Sequence, residues 1–265
     1  MTGDTRIRPA NPKTEMASTS IWPIFVISLP DAYERRKSLT RDLTSRGLDF
    51  GMVDAIDGRR VLPSEYERKI DRKRTVEAFG RPLADAEYAC AFSHLSVYHK
   101  ISEDNLPGAI ILEDDAILTP LFDEFLTARG FECADLVQLD HLHGDIWRGH
   151  SPIQLTPNIR LAMAARNTSL TTGYSISNRG ARYFLEEAFP LTRPADWPAD
   201  PLVVGAMLAM PRIVDHPPFS AEISSIEPLR APLISRKTAW ERSTRFFYAA
   251  YWRRWWFKRC TRRIS

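Results

Sequence analysis

The sequence predicts an α/β fold built on a mostly parallel sheet. Three observations carry this. Short apolar runs rich in β-branched residues alternate with segments of helical period. Strand, helix and strand follow one another from Ile24 to Ile56, a βαβ unit. The strongest polar signals stand directly after the apolar runs, where open α/β sheets place their ligands.

Element by element, Ile24–Leu29 (IFVISL) reads as a buried parallel strand ended by Pro30. Asp31 is a candidate cap for a helix over Tyr33–Arg46, with Leu39 and Leu43 one turn apart on its inner face and Gly47 as its stop. Phe50–Ile56 reads as the second strand, closed by an Asp57-Gly58 turn. The charged stretch Glu65–Gly80 decides nothing by pattern. Asp85–Glu103 is a helix broken at Asn105–Gly108, Ala109–Leu112 a buried strand, Phe122–Ala128 a helix and Asp135–Leu139 a short strand. Ser169–Ser177 is strand-like and Gly180–Ala188 helical; Val203–Met210 reads as a short helix among prolines. No internal repeat is visible.

With 44% hydrophobic and 26% charged residues, the composition excludes a disordered or fibrous chain. No apolar run approaches the roughly 20 residues of a membrane span. The net charge of +3 hides an asymmetry. Met1–Leu229 holds 25 basic and 32 acidic residues, a net −7, while Arg230–Ser265 holds 11 basic residues and one acid, a net +10. The chain therefore divides into a polar flexible lead (1–20), a globular domain (21–229) and a basic aromatic tail (230–265). Cys90, Cys133 and Cys260 form no CxxC pair and suit a reducing compartment. The first twenty residues lack the apolar core of a secretory signal, so a cytoplasmic location is expected.

The sharpest local signal is AIILEDDA, in which Glu113, Asp114 and Asp115 leave a buried strand together. In an extended chain Glu113 and Asp115 point one way and Asp114 the other. Clustered carboxylates repel one another, and a hard divalent cation, Mg²⁺ or Mn²⁺, relieves this. Such a cation neutralises charge on a diphosphate leaving group. The alternative is a solvated turn. A response-regulator arrangement fits poorly, because there the acidic pair follows the first strand.

Three segments together resemble glycosyltransferase family 25. IFVISLPDAYERRKSLTRDLTSRGLDFGMVDAIDGRRV is similar to the family's opening strand, its paired arginines (Arg35 and Arg36) and its A-[IV]-D-G turn (Ala55–Gly58). AEYACAFSHLSVYHKISEDNLPGAIILEDDAIL is similar to its G-E-x-G-C-x-x-S-H helix and L-E-D-D motif, and TTGYSISNRGARYFLE to its G-x-x-[AG]-Y-x-[IL]-S-x-x-G-A segment. The likeness runs from about Ile24 to Ile226. Ala86 and Ala89 stand where the family usually has glycine, each adding a methyl group. The resemblance implies a single-domain, Rossmann-like GT-A fold and inverting transfer of a hexose, usually galactose, from a UDP-sugar to a lipopolysaccharide or lipooligosaccharide-type glycan. A catalytically silent, glycan-binding member is the competing class, and a metal-dependent nucleotidyltransferase a second enzyme alternative.

The resemblance also implies roles. Asp115, with Glu113, holds the Mn²⁺ or Mg²⁺; Asp114 contacts ribose or metal. Ser28, Arg35, Arg36, Asp57, Ser93 and His94 are candidate nucleotide-sugar contacts, the arginines because guanidinium pairs with phosphate. An inverting transfer needs a base for the acceptor hydroxyl. Asp200, in a P-x-D segment of DWPADPLV, is the first candidate and Asp140, after the strand LVQL, the second; Asp145 and Asp196 stay open. His141, His143 and His150 match no standard zinc spacing.

The tail, RFFYAAYWRRWWFKRCTRRIS, carries eight aromatic residues between Phe246 and Phe257, with Tyr248, Tyr251, Trp252 and Trp255 on one helical face and basic residues alongside. This pattern suits an anionic membrane surface, so an interfacial helix on the inner face of the membrane is expected. The alternatives are a docked C-terminal helix or a dimer contact. No nucleic-acid module is present.

Overall fold

The computed structural model describes residues 21–218 and 249–264. The proposed lead (1–20), the boundary at residue 229 and the first part of the tail (230–248) lie outside the described residues.

The elements run in order as β1 (Ile24–Ser28), α1 (Tyr33–Ser45), β2 (Phe50–Asp54), α2 (Ser64–Glu67), α3 (Arg72–Phe79), α4 (Asp85–Glu103) and β3 (Gly108–Glu113). Then come β4 (Ile117–Leu118), α5 (Leu121–Thr127), β5 (Leu136–Gln138), β6 (Gly144–Trp147), β7 (Ile153–Gln154), β8 (Arg160–Met163) and β9 (Gly173–Ser177). α6 (Asn178–Glu187), β10 (Met207–Met210), β11 (Val214–Asp215), α7 (Ala249–Cys260) and β12 (Thr261–Ile264) are the last of the described elements.

Eight strands form the central sheet in the order β2-β1-β3-β9-β5-β10-β8-β7. β1 lies parallel to both β2 (Ile24 opposite Phe50) and β3 (Ile24 opposite Ile110), and β10 parallel to β5. β9 is inserted antiparallel between β3 and β5, and β8 antiparallel between β10 and β7. Six of the eight strands thus share one direction, which is the mostly parallel, Rossmann-like sheet that the sequence predicts.

Strand alternation divides the core into two layers. Phe25, Ile27, Ala109 and Ile111 face Tyr88, Leu95 and Tyr98 of α4 and Phe184 of α6. Ile24, Val26, Ile110 and Leu112 face Leu39 and Leu43 of α1 and Phe122 and Phe125 of α5. Each such side chain, fully removed from water, contributes roughly 1.5–3 kcal/mol. Helices on both faces explain why the strands read as continuous apolar runs.

Three expectations are corrected, and the undecided stretch Glu65–Gly80 is resolved. Asp31 does not cap α1: the N-cap is Ala32 without a side-chain bond, and Asp31 instead pairs with Arg59 at 2.8 Å. Glu65–Gly80 holds α2 and α3, the latter capped by Asp71 and stopped by Gly80 at φ +75°. The strand expected at Ser169–Ser177 begins only at Gly173, because Leu170 (φ +84°) turns the chain out of extended geometry. Val203–Met210 is not a helix. A turn ends at Gly205 (φ +67°), and Met207–Met210 joins the sheet between β5 and β8.

The end of the tail belongs to the fold. β12 pairs antiparallel with β6, Thr261 opposite Trp147 and Ile264 opposite Gly144, and the Phe257 ring meets Trp147 edge-on at 5.9 Å. Among the described residues no helix is long and apolar enough to cross a membrane.

Candidate active site

A cavity of about 230 Å³ opens where β1, β2 and β3 end. Its floor is the acidic triplet, and the chain turns there instead of staying extended. Ala116 N bonds back to Glu113 O at 3.0 Å, so the alternation expected for three carboxylates fails. Asp114 and Asp115 face the same guanidinium: Arg35 Nη2 lies 2.9 Å from Asp114 Oδ1 and 2.8 Å from Asp115 Oδ2. Ser28, the last residue of β1, donates to Asp114 Oδ2 at 2.9 Å. Glu113 turns the other way. Its Oε1 accepts from Thr171 Oγ1 at 2.7 Å and lies 3.3 Å from His94 Nε2.

Position explains the electrostatics. Burial pushes the Asp115 carboxyl up to about 6, and the neighbouring charges of Glu113 and Asp114 add to it against the pull of Arg35. Asp114 is also raised, chiefly by burial, although Arg35 and the Ser28 hydroxyl oppose this. Burial acts on Glu113 too, but His94, Thr171 and Arg35 more than offset it and leave Glu113 below its ordinary value. Three carboxylates thus share one arginine and one histidine. This donor set of hard oxygens is short of positive charge; Asp114 and Asp115, which converge on Arg35 Nη2, offer carboxylate oxygens that suit a divalent cation, while Glu113 faces His94 and Thr171.

A pH dependence follows. A carboxyl raised in the folded state binds its proton more tightly there than in the unfolded chain. The resulting stability is present at acid pH and is lost as pH rises through about 6. In metal-free protein, urea unfolding should show a loss of up to about 3 kcal/mol between pH 4 and pH 7 from this group, shared among the three coupled carboxylates. The loss should shrink in Asp115→Asn; an unchanged slope would refute the assignment.

The remaining candidates separate clearly. Arg35 lines the cavity, whereas Arg36 lies over the Tyr33 ring at 4.6 Å, outside it. Asp57 sits exposed at the rim, its carboxylate held by Arg59 Nε and N, both at 2.9 Å, which lowers its pKa. Ser93 is buried and works as a strut: its Oγ donates to Ala89 O and accepts from Ile56 N, each at 2.8 Å. The Ala55–Gly58 turn is thereby pinned to α4. Gly58 is needed there, since a Cβ would stand 2.6 Å from both Ala89 Cβ and Asp85 O. His94 is fully buried at the cavity wall, its Nδ1 2.7 Å from Tyr174 Oη.

The two expected bases are not brought to the cavity. Asp200 lines neither of the two cavities described here, and its Oδ1 accepts from Leu202 N at 3.0 Å, capping the 201–205 turn. Asp140 is fully buried; it accepts from His216 Nδ1 at 2.8 Å and lies 3.4 Å from Arg212 Nη1. Burial raises its pKa, and His216 and Arg212 counter this. Asp145 is tied to Arg166 at 2.7 Å and Arg263 at 3.4 Å. His141 bonds Ala209 O through Nε2, while His143 and His150 are exposed; among the described residues the three gather no common ligand set.

Pattern reading missed Cys90, Thr171 and His216 as wall residues. His216 directly follows β11, a two-residue strand that leaves no pattern in the sequence, so inspecting predicted strand ends could not reach it. Ligand atoms of Cys90, His94 and Glu113 lie within 4.8 Å of one another, as do those of Asp140, Asp215 and His216. A second cavity of about 110 Å³ shares Cys90, Glu113, Leu170 and Thr172 with the first and continues to Thr171 and Asp196.

Comparison with known proteins places the sequence in a family. The model of glycosyltransferase family 25 (LPS biosynthesis protein) matches residues 21–200. Procollagen galactosyltransferase 1-B of Xenopus laevis is 31% identical over 183 residues, covering 66% of this chain and 30% of that protein. Lipooligosaccharide biosynthesis protein lic2B of Haemophilus influenzae is 31% identical over 102 residues, 38% of this chain and 36% of that protein. The lacto-N-neotetraose biosynthesis glycosyltransferase LgtB of Neisseria gonorrhoeae is 25% identical over 188 residues, 68% of this chain and 66% of that protein. The first two matches thus span only about a third of those relatives. The family match takes in α4, β3 and the whole acidic triplet, and on that ground the chain belongs to glycosyltransferase family 25.

Proposed function

We propose that this chain is a GT-A-type, inverting, metal-dependent hexosyltransferase that moves galactose from UDP-galactose to a lipooligosaccharide-type glycan. The observation that carries the reading is the set of three carboxylates at the end of β3, under-neutralised and open to a cavity of about 230 Å³. The relatives' names, galactosyltransferase and lipooligosaccharide biosynthesis, support the sugar and the acceptor class.

Asp114 and Asp115 would hold a Mn²⁺ or Mg²⁺ ion, with Glu113 beside them. Such an ion, when bound, neutralises charge on the diphosphate. Arg35, which balances both aspartates, then has its guanidinium available to the diphosphate oxygens, a pairing it makes well. Asp57, at the rim, would accept from ribose or uracil beside its bonds to Arg59. His94 and Thr171 keep Glu113 ionised and fixed.

UDP release from a panel of UDP-sugars, with Mn²⁺, Mg²⁺ or EDTA, tests this. Metal-dependent release from one sugar, stimulated by a galactose-accepting glycan, is expected. No release from any sugar, with no donor binding by calorimetry, would favour a silent glycan-binding member. Release of pyrophosphate in place of UDP would favour a nucleotidyltransferase.

The proposed location is the cytoplasmic face of the membrane, reached through α7. Trp252, Trp255 and Trp256 are exposed there, as are Lys258 and Arg259, and β12 anchors the helix to the body. Tryptophan favours the headgroup level, and each basic residue near an anionic surface adds about 1 kcal/mol. Tyr248 and the side chain of Tyr251, the other half of the expected aromatic face, lie outside the described residues. Sedimentation with anionic vesicles is expected for the wild type and a tenfold or greater loss for the triple Trp→Ala variant. Equal binding to neutral vesicles would count against the basic residues, and no binding against the location itself.

A further inference from the structure

The segment R-P-A-D-W-P-A-D offers two P-A-D units, ending in Asp196 and Asp200. The sequence puts Asp200 first; the fold separates the two differently. Between them Trp197 is buried, its Nε1 donates to Thr168 O at 2.9 Å, and its ring packs on Tyr174 at 5.4 Å and Phe184 at 5.8 Å. With Trp197 nailed to the core, the chain before it faces the second cavity, and the chain after it enters the 201–205 turn that Asp200 caps.

We infer that the second cavity is where the sugar changes hands and that Asp196 is the catalytic base. This rests on the transferase reading above. The two cavities share Cys90, Glu113, Leu170 and Thr172, so a diphosphate held at the triplet leaves its sugar to extend past Glu113. Two acidic side chains besides Glu113 line that space. Glu87 is committed: it is buried, accepts from Ala84 N at 3.0 Å and from Arg81 at 2.9 and 2.8 Å. Asp196 is half-buried, and Leu170 N steadies its Oδ1 at 3.2 Å. The wall between the cavities feels carboxylates from both: burial drives the Cys90 thiol well up, and Glu113, Asp196, Asp115 and Asp114 add to it.

The step balances simply. The acceptor hydroxyl gives its proton to the Asp196 carboxylate as its oxygen forms the bond to the anomeric carbon. The bond from that carbon to the nucleotide diphosphate breaks from the opposite face, and its electron pair leaves with the diphosphate. The products are the β- or α-inverted glycoside, the nucleoside diphosphate and a protonated Asp196, which returns its proton to water.

Asp196→Asn and Asp200→Asn in the full chain provide the test, read as kcat with donor and acceptor and as donor affinity by calorimetry. Asn at 196 keeps an oxygen for Leu170 N, so folding should hold, checked by thermal unfolding. The expected result is a fall in kcat of roughly 10²–10⁴-fold for Asp196→Asn with donor affinity within threefold of wild type. Asp200→Asn should keep kcat within about fivefold. Asp196→Asn retaining kcat, or Asp200→Asn losing as much while folded, would overturn the assignment alone. A wild type inert towards every donor would overturn the transferase reading, and this assignment with it. If Asp196→Asn fails to fold, Asp196→Ser replaces it: an oxygen remains for Leu170 N but no carboxylate, so kcat should fall on the same scale, and a folded Asp196→Ser with wild-type kcat would overturn the inference as well.

Discussion

Asp115→Asn should lower metal-dependent UDP release by roughly 10²–10³-fold, the scale of removing one preorganised electrostatic contact from a transition state. The same substitution should leave the fold as stable as before, or more so above pH 6. Asp115 is largely buried, shares Arg35 with Asp114, and holds its proton up to about 6 because Glu113 and Asp114 stand beside it. Ionising it in the folded chain is therefore unfavourable, and a neutral amide of the same shape removes that cost. Activity and stability should move in opposite directions, which general damage to the site would not produce. Thermal unfolding at pH 7.5 and UDP release with Mn²⁺ on the same preparation measure both. A variant within fivefold of wild-type release would remove Asp115 from the site, and one that melts well below wild type would show that the carboxylate is structural.

The reach of sequence reading here has physical limits. β1, α1, α4 and β3 were legible because each buries a face whose pattern survives in the residue order: Leu39 and Leu43 four apart, and the unbroken apolar run IFVI. The two-residue strands β4, β7 and β11 were not, since two residues carry no period. Val203–Met210 misled for a related reason. Its apolar residues fit a helix equally well, and only Gly205 at positive φ and pairing with Val137 and Met163 make it a turn and a strand.

In the site, the triplet was legible because carboxylates after a buried strand are unusual. Their orientations were not: Glu113 is drawn to Thr171, 58 residues on, and Asp114 to Ser28, 86 residues back. Asp140 looked well placed after β5, yet it is sealed under His216 and Arg212, long-range partners that no local pattern announces. The choice between Arg35 and Arg36 was likewise open until the rotation of α1 was known, which puts one guanidinium on the aspartates and the other on Tyr33.

The second large effect is expected at His94. A chain of contacts runs through the core from Tyr98 Oη to Tyr174 Oη at 2.8 Å, on to His94 Nδ1 at 2.7 Å, and from His94 Nε2 to Glu113 Oε1 at 3.3 Å. All but the Glu113 end is fully buried. His94→Ala removes a ring from this packed layer and leaves Tyr174 short of a partner, so it should cost about 2–4 kcal/mol. In a chain of this size that is a fall in Tm of about 5–12 °C. Glu113 loses its main stabilising neighbour at the same time, and its pKa should rise. His94→Gln, which can still reach Tyr174, should recover part of the stability but not the charge at Glu113. Structure and electrostatics can then be told apart by a double-mutant cycle with Glu113→Gln. If His94 acts on Glu113, the two changes are less than additive in kcat/KM; if it only fills space, they add. A His94→Ala protein that melts within 2 °C of wild type would show that the buried chain is not holding the site together.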